Sequence, residues 1–136
     1  MDLKEIKHQF FTYRNGITAD ALRNAGMPYG IIFGLDVPTL AAISRSVEHS
    51  EQLAEALWAD KDVRESRLLA TYIFDPASIS MEWAIELASQ TQTQEEADML
   101  AFRLFKRLPF AGELLTRLGE QENCRRAAKA LAAHLA

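Results

Sequence analysis

The stretch Asp60–Ala70, DKDVRESRLLA, is the part of the chain that most clearly indicates its fold. After an acidic break, Val63, Ser66 and the apolar positions that follow them fall on one face at helical spacing. The pattern continues until Asp75-Pro76, where proline ends it. This stretch therefore predicts a helix that begins with charged side chains and buries one face.

Apolar positions recur at helical spacing on both sides of this stretch. The predicted buried faces include Leu3, Ile6, Phe10 and Tyr13 near the N-terminus, and Ala97, Leu100, Leu104 and Leu108 before Pro109. Asp36 and Ser50 are expected to cap helices, and Thr18 to cap a short helix that stops at Gly26. No useful alternation with a period of two occurs. We therefore predict an all-α chain of eight or nine short helices.

Residues 27–36, MPYGIIFGLD, are the least helical part of the chain. Gly30 and Gly34 bracket the apolar residues Ile31-Ile32-Phe33. Glycine interrupts helices, whereas the residues between the two glycines need burial. We expect an apolar loop or a short extended segment that docks on the core.

Three helices are expected in similar contexts, at 62–74, 95–108 and 122–135. Their spacing is close to thirty residues, which is typical of one helix pair per unit of a solenoid. Short connections favour antiparallel neighbours within each pair. The prediction is a right-handed α-solenoid of antiparallel helix pairs that forms a single domain over residues 1–136.

The composition, with 49% hydrophobic and 25% charged residues, is that of a folded globular chain and argues against disorder. No apolar run approaches the roughly 20 residues of a membrane helix, and the N-terminus does not resemble a secretory signal. A lone Cys124 on an apolar stripe fits a buried thiol and a cytoplasmic location. His8, His49 and His134 lack the spacing of a zinc site, so we expect neither metal nor cofactor.

Charge is distributed unevenly along the chain. Residues 48–98 hold twelve acidic side chains against three basic ones, a local charge of −9, whereas residues 103–129 carry +4. The basic residues that two neighbouring helices present are Arg103, Lys106, Arg107, Arg125 and Lys129. They are the candidate surface for an acidic partner such as duplex DNA, and the alternative is an ordinary solvated surface.

The string Asp60-x-x-Val63-Arg64 resembles the second helix of a HEAT repeat, where such charges tie neighbouring repeats together. Three stretches in order also resemble the DNA alkylation repair (AlkD-like) family of HEAT-like repeat proteins. They are Arg14-Asn15-Gly16 with Ala19 and Leu22, Phe33-Gly34-Leu35-x-x-Pro38-x-Leu40, and Leu53-Ala54-x-Ala56-Leu57-Trp58 followed by Glu65-x-Arg67-x-x-Ala70. The likeness covers about residues 3–75, and the chain is expected to be shortened at the C-terminus relative to full-length members.

Members of the family that this chain resembles are glycosylases that remove alkylated purines from duplex DNA. The resemblance implies a catalytic Asp, with Trp and Arg side chains around the damaged base. A carboxylate suits the developing positive charge on the sugar. The closest matches here are Asp98 and Arg126, but Gln94 stands one turn before Asp98 where the family has Trp. Asp98 is equally explained, beside Glu95 and Glu96, as an acid favoured in the first turn of a helix.

We therefore expect a non-catalytic relative that acts as a binding module for DNA. A protein-interaction scaffold without DNA binding is the alternative, and an active alkylpurine-DNA glycosylase is the third reading. Arg64 and Arg67 are expected to make structural ion pairs, and Trp58 and Trp83 to pack between helices. The alanine-rich last helix, with Leu131 and Leu135, favours a dimer, although the oligomeric state stays open.

Overall fold

A computed structural model describes residues 1–136 and confirms that the chain is all-helical. The α-helices are α1 (Leu3–Thr12), α2 (Gly16–Asn24), α3 (Val37–Ser46), α4 (Glu51–Ala59), α5 (Arg64–Ile73), α6 (Met81–Ser89), α7 (Gln94–Arg103), α8 (Ala111–Gly119) and α9 (Arg125–Leu135). Short 3₁₀ segments lie at Pro76–Ser78, Phe105–Arg107 and Glu122–Cys124. Nine helices with short connections are what the apolar spacing predicted.

The chain divides into two compact units, Met1–Ile73 and Phe74–Ala136. The first unit contains α1 to α5, and the second contains α6 to α9. Each unit buries apolar residues of its own, such as Phe10 and Leu57 in the first and Leu100 and Leu114 in the second. The expectation of a single domain over residues 1–136 stays a prediction.

Side-chain caps set the starts of most helices. Asp36 and Ser50 cap α3 and α4 as predicted, each accepting a hydrogen bond from a backbone N–H three residues on. The prediction for Thr18 was wrong, because Asn15 caps α2 and the N–H of Thr18 donates to Asn15 Oδ1 at 3.1 Å. The helix therefore starts two residues before Thr18, at Gly16.

The segment 27–36 is an extended loop with buried apolar residues, as predicted, and it docks on the start of α5. Ile31 pairs with Val63 in an isolated parallel bridge, through the Ile31 N–H to the Asp62 carbonyl at 3.0 Å and the Arg64 N–H back to the Ile31 carbonyl at 3.2 Å. The side chains of Ile32 and Leu35, which belong to the loop, are buried. Backbone pairing thus ties an irregular segment to the helix that the sequence marks most clearly.

Nine of the ten residues of α5 are buried, including charged ones. The fully buried carboxylate of Glu65 accepts hydrogen bonds from the N–H groups of Phe33, Gly34 and Leu35 at 2.9, 3.0 and 3.3 Å. It also pairs with Arg64, whose guanidinium lies 2.7 Å away. A buried charge is tolerated only where partners satisfy it, and here the loop backbone supplies them.

In the second unit, α7 and α9 lie side by side and run parallel. At one end, Arg126 Nη1 donates to the carbonyl of Thr91, just before α7, at 3.0 Å. At the other end, the rings of Phe102 and His134 are 5.3 Å apart. Because both N-terminal ends meet and both C-terminal ends meet, the helices point the same way. α6 contacts α8 on the other layer of this unit.

One helix and one buried face end earlier than predicted, although Leu104 and Leu108 are buried as expected. The helix expected over 95–108 stops at Arg103, and a 3₁₀ turn follows at Phe105–Arg107. Leu108 is extended with ψ 140°, as proline at the next position requires. Tyr13 is not part of the buried face of α1, because it follows the last helical residue and is 55% exposed.

Candidate nucleic-acid interface

The five basic residues expected to contact an acidic partner belong to α7, the following 3₁₀ turn and α9. Four of the five side chains are exposed, and Arg103 is half-buried. Packing of α9 against both α7 and the 3₁₀ turn brings these elements together in one unit. The structure therefore presents most of the predicted basic set to solvent on adjoining elements.

These cations nevertheless do not form one cluster. Arg103, Lys106 and Arg107 lie at the C-terminal end of α7, where Phe102 meets His134. Arg125 lies at the opposite end of α9, about 14 Å along the axis from His134, and pairs with Glu122 at 3.3 Å. Lys129 lies between the two ends. The densest positive charge is thus at the C-terminal end of the parallel pair.

Phe102 is the residue of this surface that the sequence analysis missed. Its side chain is 42% exposed. Lys106 Nζ lies 3.8 Å from the ring centroid and Arg103 Cζ lies 5.8 Å from it. A signal was present, because Phe102 lies off the apolar stripe of Ala97, Leu100 and Leu104 and directly precedes a cation.

Asp98 and Arg126, the two residues that the resemblance singles out, have different partners. Asp98 is exposed on α7, and its Oδ1 accepts a hydrogen bond from Gln94 Nε2 at 3.0 Å. Arg126 is exposed at the start of α9 and donates to the Thr91 carbonyl. The two exposed side chains thus have separate local partners.

The start of α7 explains the acidic residues around Asp98. Thr93 caps the helix by accepting from the N–H of Glu96 at 3.1 Å, and Glu95 and Glu96 occupy the first turn as expected. The buried carboxylate of Glu96 accepts from the backbone N–H and the side-chain amide of Gln92 at 3.0 and 3.2 Å. Acidic side chains in the first turn are favoured by the helix dipole, and Glu96 also ties the residue before the cap to the helix.

Arg64 makes the structural ion pair that was predicted for it, and Arg67 contacts an aromatic ring. Both are only 4% exposed. Arg64 pairs with Glu65 and donates to the Leu35 carbonyl at 3.0 Å, whereas the Arg67 guanidinium lies 3.9 Å from the ring centroid of Trp58. Trp58 itself is buried, so the prediction that it packs between helices is confirmed. These cations are therefore not placed to hold phosphate.

Cys124 is a buried free thiol, as expected from its place on the apolar stripe. Burial, with a smaller contribution from the charge of Glu86, raises the pKa of this thiol. Its Sγ lies 3.8 Å from the carbonyl oxygen of Ile85, within the same unit. A thiol held neutral in this way is a poor nucleophile and a poor metal ligand. No group of three or more His, Cys, Asp or Glu side chains is arranged to hold a metal ion.

Comparison of the chain with protein-family models, with curated proteins and with solved structures gives no significant match in any of the three. The likeness to the alkylation repair proteins therefore rests on the quoted residues alone. No helix combines the length and the apolar character needed to cross a membrane.

Proposed function

We propose that the chain is a HEAT-like repeat module that binds DNA through its basic C-terminal surface, as a non-catalytic relative of the alkylation repair glycosylases. The observation that carries the proposal is the cluster of Arg103, Lys106 and Arg107 at one end of the parallel helices α7 and α9. Such a cluster suits a polyanion, because the binding of cations to its phosphates releases counterions and this release favours the complex.

The packing of the second unit supports the repeat reading. In a stack of helix pairs, equivalent helices of successive pairs lie parallel and in contact. α7 and α9 have this relation and begin at Gln94 and Arg125, about thirty residues apart. The contact between α6 and α8 is the matching one for the first helices of the two pairs.

The absence of competing carboxylates supports the basic surface. No carboxylate lies within ion-pair distance of Lys106, Arg107 or Lys129. An exposed cation without an ion-pair partner attracts an anionic ligand with its full charge, whereas Glu122 offsets the charge of Arg125. We therefore assign the main contacts to the C-terminal end of α7.

Fluorescence anisotropy with a labelled DNA duplex across a salt series tests this function. We expect binding that weakens steeply with salt, and Arg103→Ala with Arg107→Ala lowers the slope of log K against log salt by about 2. A matched control is Arg45→Ala with Arg117→Ala, which removes two exposed arginines elsewhere and leaves the slope unchanged. Binding that is absent at low salt, or that does not depend on salt, would contradict the proposal.

The same duplexes, prepared with and without a methylated purine, separate binding from catalysis. We expect no release of the alkylated base, because Asp98 is exposed and tied to Gln94 instead of lining a site with an aromatic wall. Base release that disappears in Asp98→Asn would establish the glycosylase reading in place of the binding module.

A protein-interaction scaffold is the second candidate function, and exposed apolar residues of the first unit favour it. Ile17 is 86% exposed, and Phe11, Tyr13 and Val37 are each about half exposed. Such residues are more common at protein interfaces than on free surfaces. Copurification of a stoichiometric protein partner, together with absence of DNA binding, would favour this candidate.

The expectation of a dimer through α9 loses part of its basis. Leu131 is fully buried within its own unit, and only Leu135 of the two leucines is partly exposed, at 39%. A single half-exposed leucine offers little area for self-association. The oligomeric state itself stays a prediction, which analytical ultracentrifugation decides.

A further inference from the structure

The C-terminal end of α7 combines an exposed aromatic ring with three cations. We call this surface the Phe102 platform, and it consists of Phe102, Arg103, Lys106, Arg107 and His134. Phe102 is 42% exposed. Lys106 Nζ lies 3.8 Å and Arg103 Cζ 5.8 Å from its ring centroid, and the centroid of the His134 ring lies 5.3 Å away. The ring therefore lies at the surface among polar groups and not over the apolar core of its unit.

An aromatic ring among cations is the arrangement that binds unpaired nucleotides. Every base has a flat face that stacks on an aromatic side chain, whatever its identity, while cations follow the phosphates. In a duplex both faces of a base are already stacked on its neighbours, so an aromatic ring on a helix has no free base to contact. A single strand offers both the face and the phosphate.

Lys106 can give up its contact with the ring for a contact with a phosphate. Lys106 is exposed on a short 3₁₀ turn, and its contact with the ring is of the weak, solvent-exposed kind. A base stacked on the ring is worth more than that contact, and the displaced ammonium gains a phosphate in return. In the bound state Phe102 therefore contacts a base and Lys106 contacts a phosphate, and each contact is stronger than the one between the two side chains.

Asp98 limits where the phosphate backbone of a bound strand can cross the platform. It lies four residues before Phe102 on α7 and is exposed, so the two side chains are neighbours on one helix face. Its carboxylate repels phosphate at that side, whereas Lys106 and Arg107 attract it on the other side. The phosphate backbone is thus expected to pass beside the 3₁₀ turn, with the base over the ring.

We propose that Phe102 is a stacking platform for an unpaired base and that the preferred ligand of the chain is single-stranded nucleic acid. This inference rests on the nucleic-acid binding proposed above and deepens it from duplex DNA to strands with unpaired bases. It also gives Phe102 a direct contact with the ligand, which the basic residues alone do not require.

Anisotropy titrations of the full chain with a labelled single strand of about 12 nucleotides and with its blunt duplex test the proposal. We expect the single strand to bind at least about tenfold more tightly. Phe102→Leu keeps an apolar side chain but removes the aromatic face, and it should weaken single-strand binding about tenfold while leaving duplex binding unchanged. Phe102→Tyr should retain binding.

Phe11→Leu is the matched control, because Phe11 is 51% exposed and carries Arg14 Cζ at 3.9 Å from its centroid in the first unit. It should leave both affinities unchanged. Equal binding of strand and duplex, with no effect of Phe102→Leu, would overturn this inference and leave the proposed function standing. Binding of neither would overturn both. Tighter binding of a polyglutamate peptide than of the strand would assign the platform to an acidic protein instead.

Discussion

At the scale of single residues, Gly34 shows how closely the loop of the first unit approaches α2. Gly34 has φ +86°, a backbone conformation that other residues adopt with strain. A Cβ atom added there would overlap the carbonyl oxygen of Asn15 and lie 2.8 Å from the N atom of Ala19. Neither backbone group can move without disturbing the capped start of α2, so only glycine fits.

We expect Gly34→Ala to lower the free energy of unfolding by about 2–4 kcal/mol, through the strained φ and the overlap with Asn15. Urea unfolding followed by circular dichroism measures the change. Gly16→Ala is the control in the same unit, because nothing lies within 4 Å of the added methyl group and the change should stay within about 1 kcal/mol. Equal stability of the two variants would contradict this account of Gly34.

Local chemistry made some of these residues predictable. Asp36 and Ser50 cap helices because a short polar side chain before an apolar stripe satisfies free N–H groups whatever the tertiary fold. Thr18 was misassigned because Asn15 is an equally good cap, and the Asn15 N–H also donates to the Phe33 carbonyl at 2.8 Å. That second contact joins distant residues, and spacing alone does not show it.

At the scale of elements, α5 and the loop at 27–36 form one structure. Glu65 contacts three loop N–H groups and Arg64, so its carboxylate satisfies backbone donors that would otherwise be buried without a partner. The sequence predicted that the loop docks on the core, because its apolar residues need burial. It did not show that a buried carboxylate holds the loop, since that requires residues thirty positions apart to meet.

Replacing Glu65 by Gln should destabilise the first unit by about 3–5 kcal/mol, because it leaves Arg64 buried without its counter-charge and turns an amide N–H₂ towards loop N–H groups. Hydrogen exchange should report the loss at Phe33, Gly34 and Leu35 first. Glu51→Gln, at an exposed position of α4, is the control and should change little. Full protection of those three amides in Glu65→Gln would contradict the assigned role.

The candidate site was less predictable than the elements that carry it. The basic residues could be named from charge alone. Which of them lie together depends on the parallel packing of α7 and α9, which separates Arg125 from Arg103, Lys106 and Arg107. The exposure of Phe102 depends on where the helix ends, and Arg103 was expected to lie well inside it. Pro109 accounts for the extended Leu108, but α7 already stops at Arg103, and the sequence pattern does not show that position.

At the scale of the whole molecule, charge is separated along the chain more strongly than the net value of −4 suggests. The −9 of residues 48–98 and the +4 of residues 103–129 attract between molecules once the net charge approaches zero. We expect minimum solubility near the isoelectric point of about 5.4, relieved by added salt because salt screens such contacts. Static light scattering over pH and salt measures this, and scattering that rises with salt would contradict it.

The parallel arrangement of α7 and α9 has an electrostatic consequence beyond their side chains. Each helix carries a dipole equivalent to roughly half a negative elementary charge at its C-terminus, and parallel packing places the two like ends together. About one negative charge thus accumulates beside Phe102 and offsets part of the positive charge of the three cations there. The opposite end gains about one positive charge in the same way, and this charge favours the carboxylates of Glu95 and Glu96 in the first turn of α7.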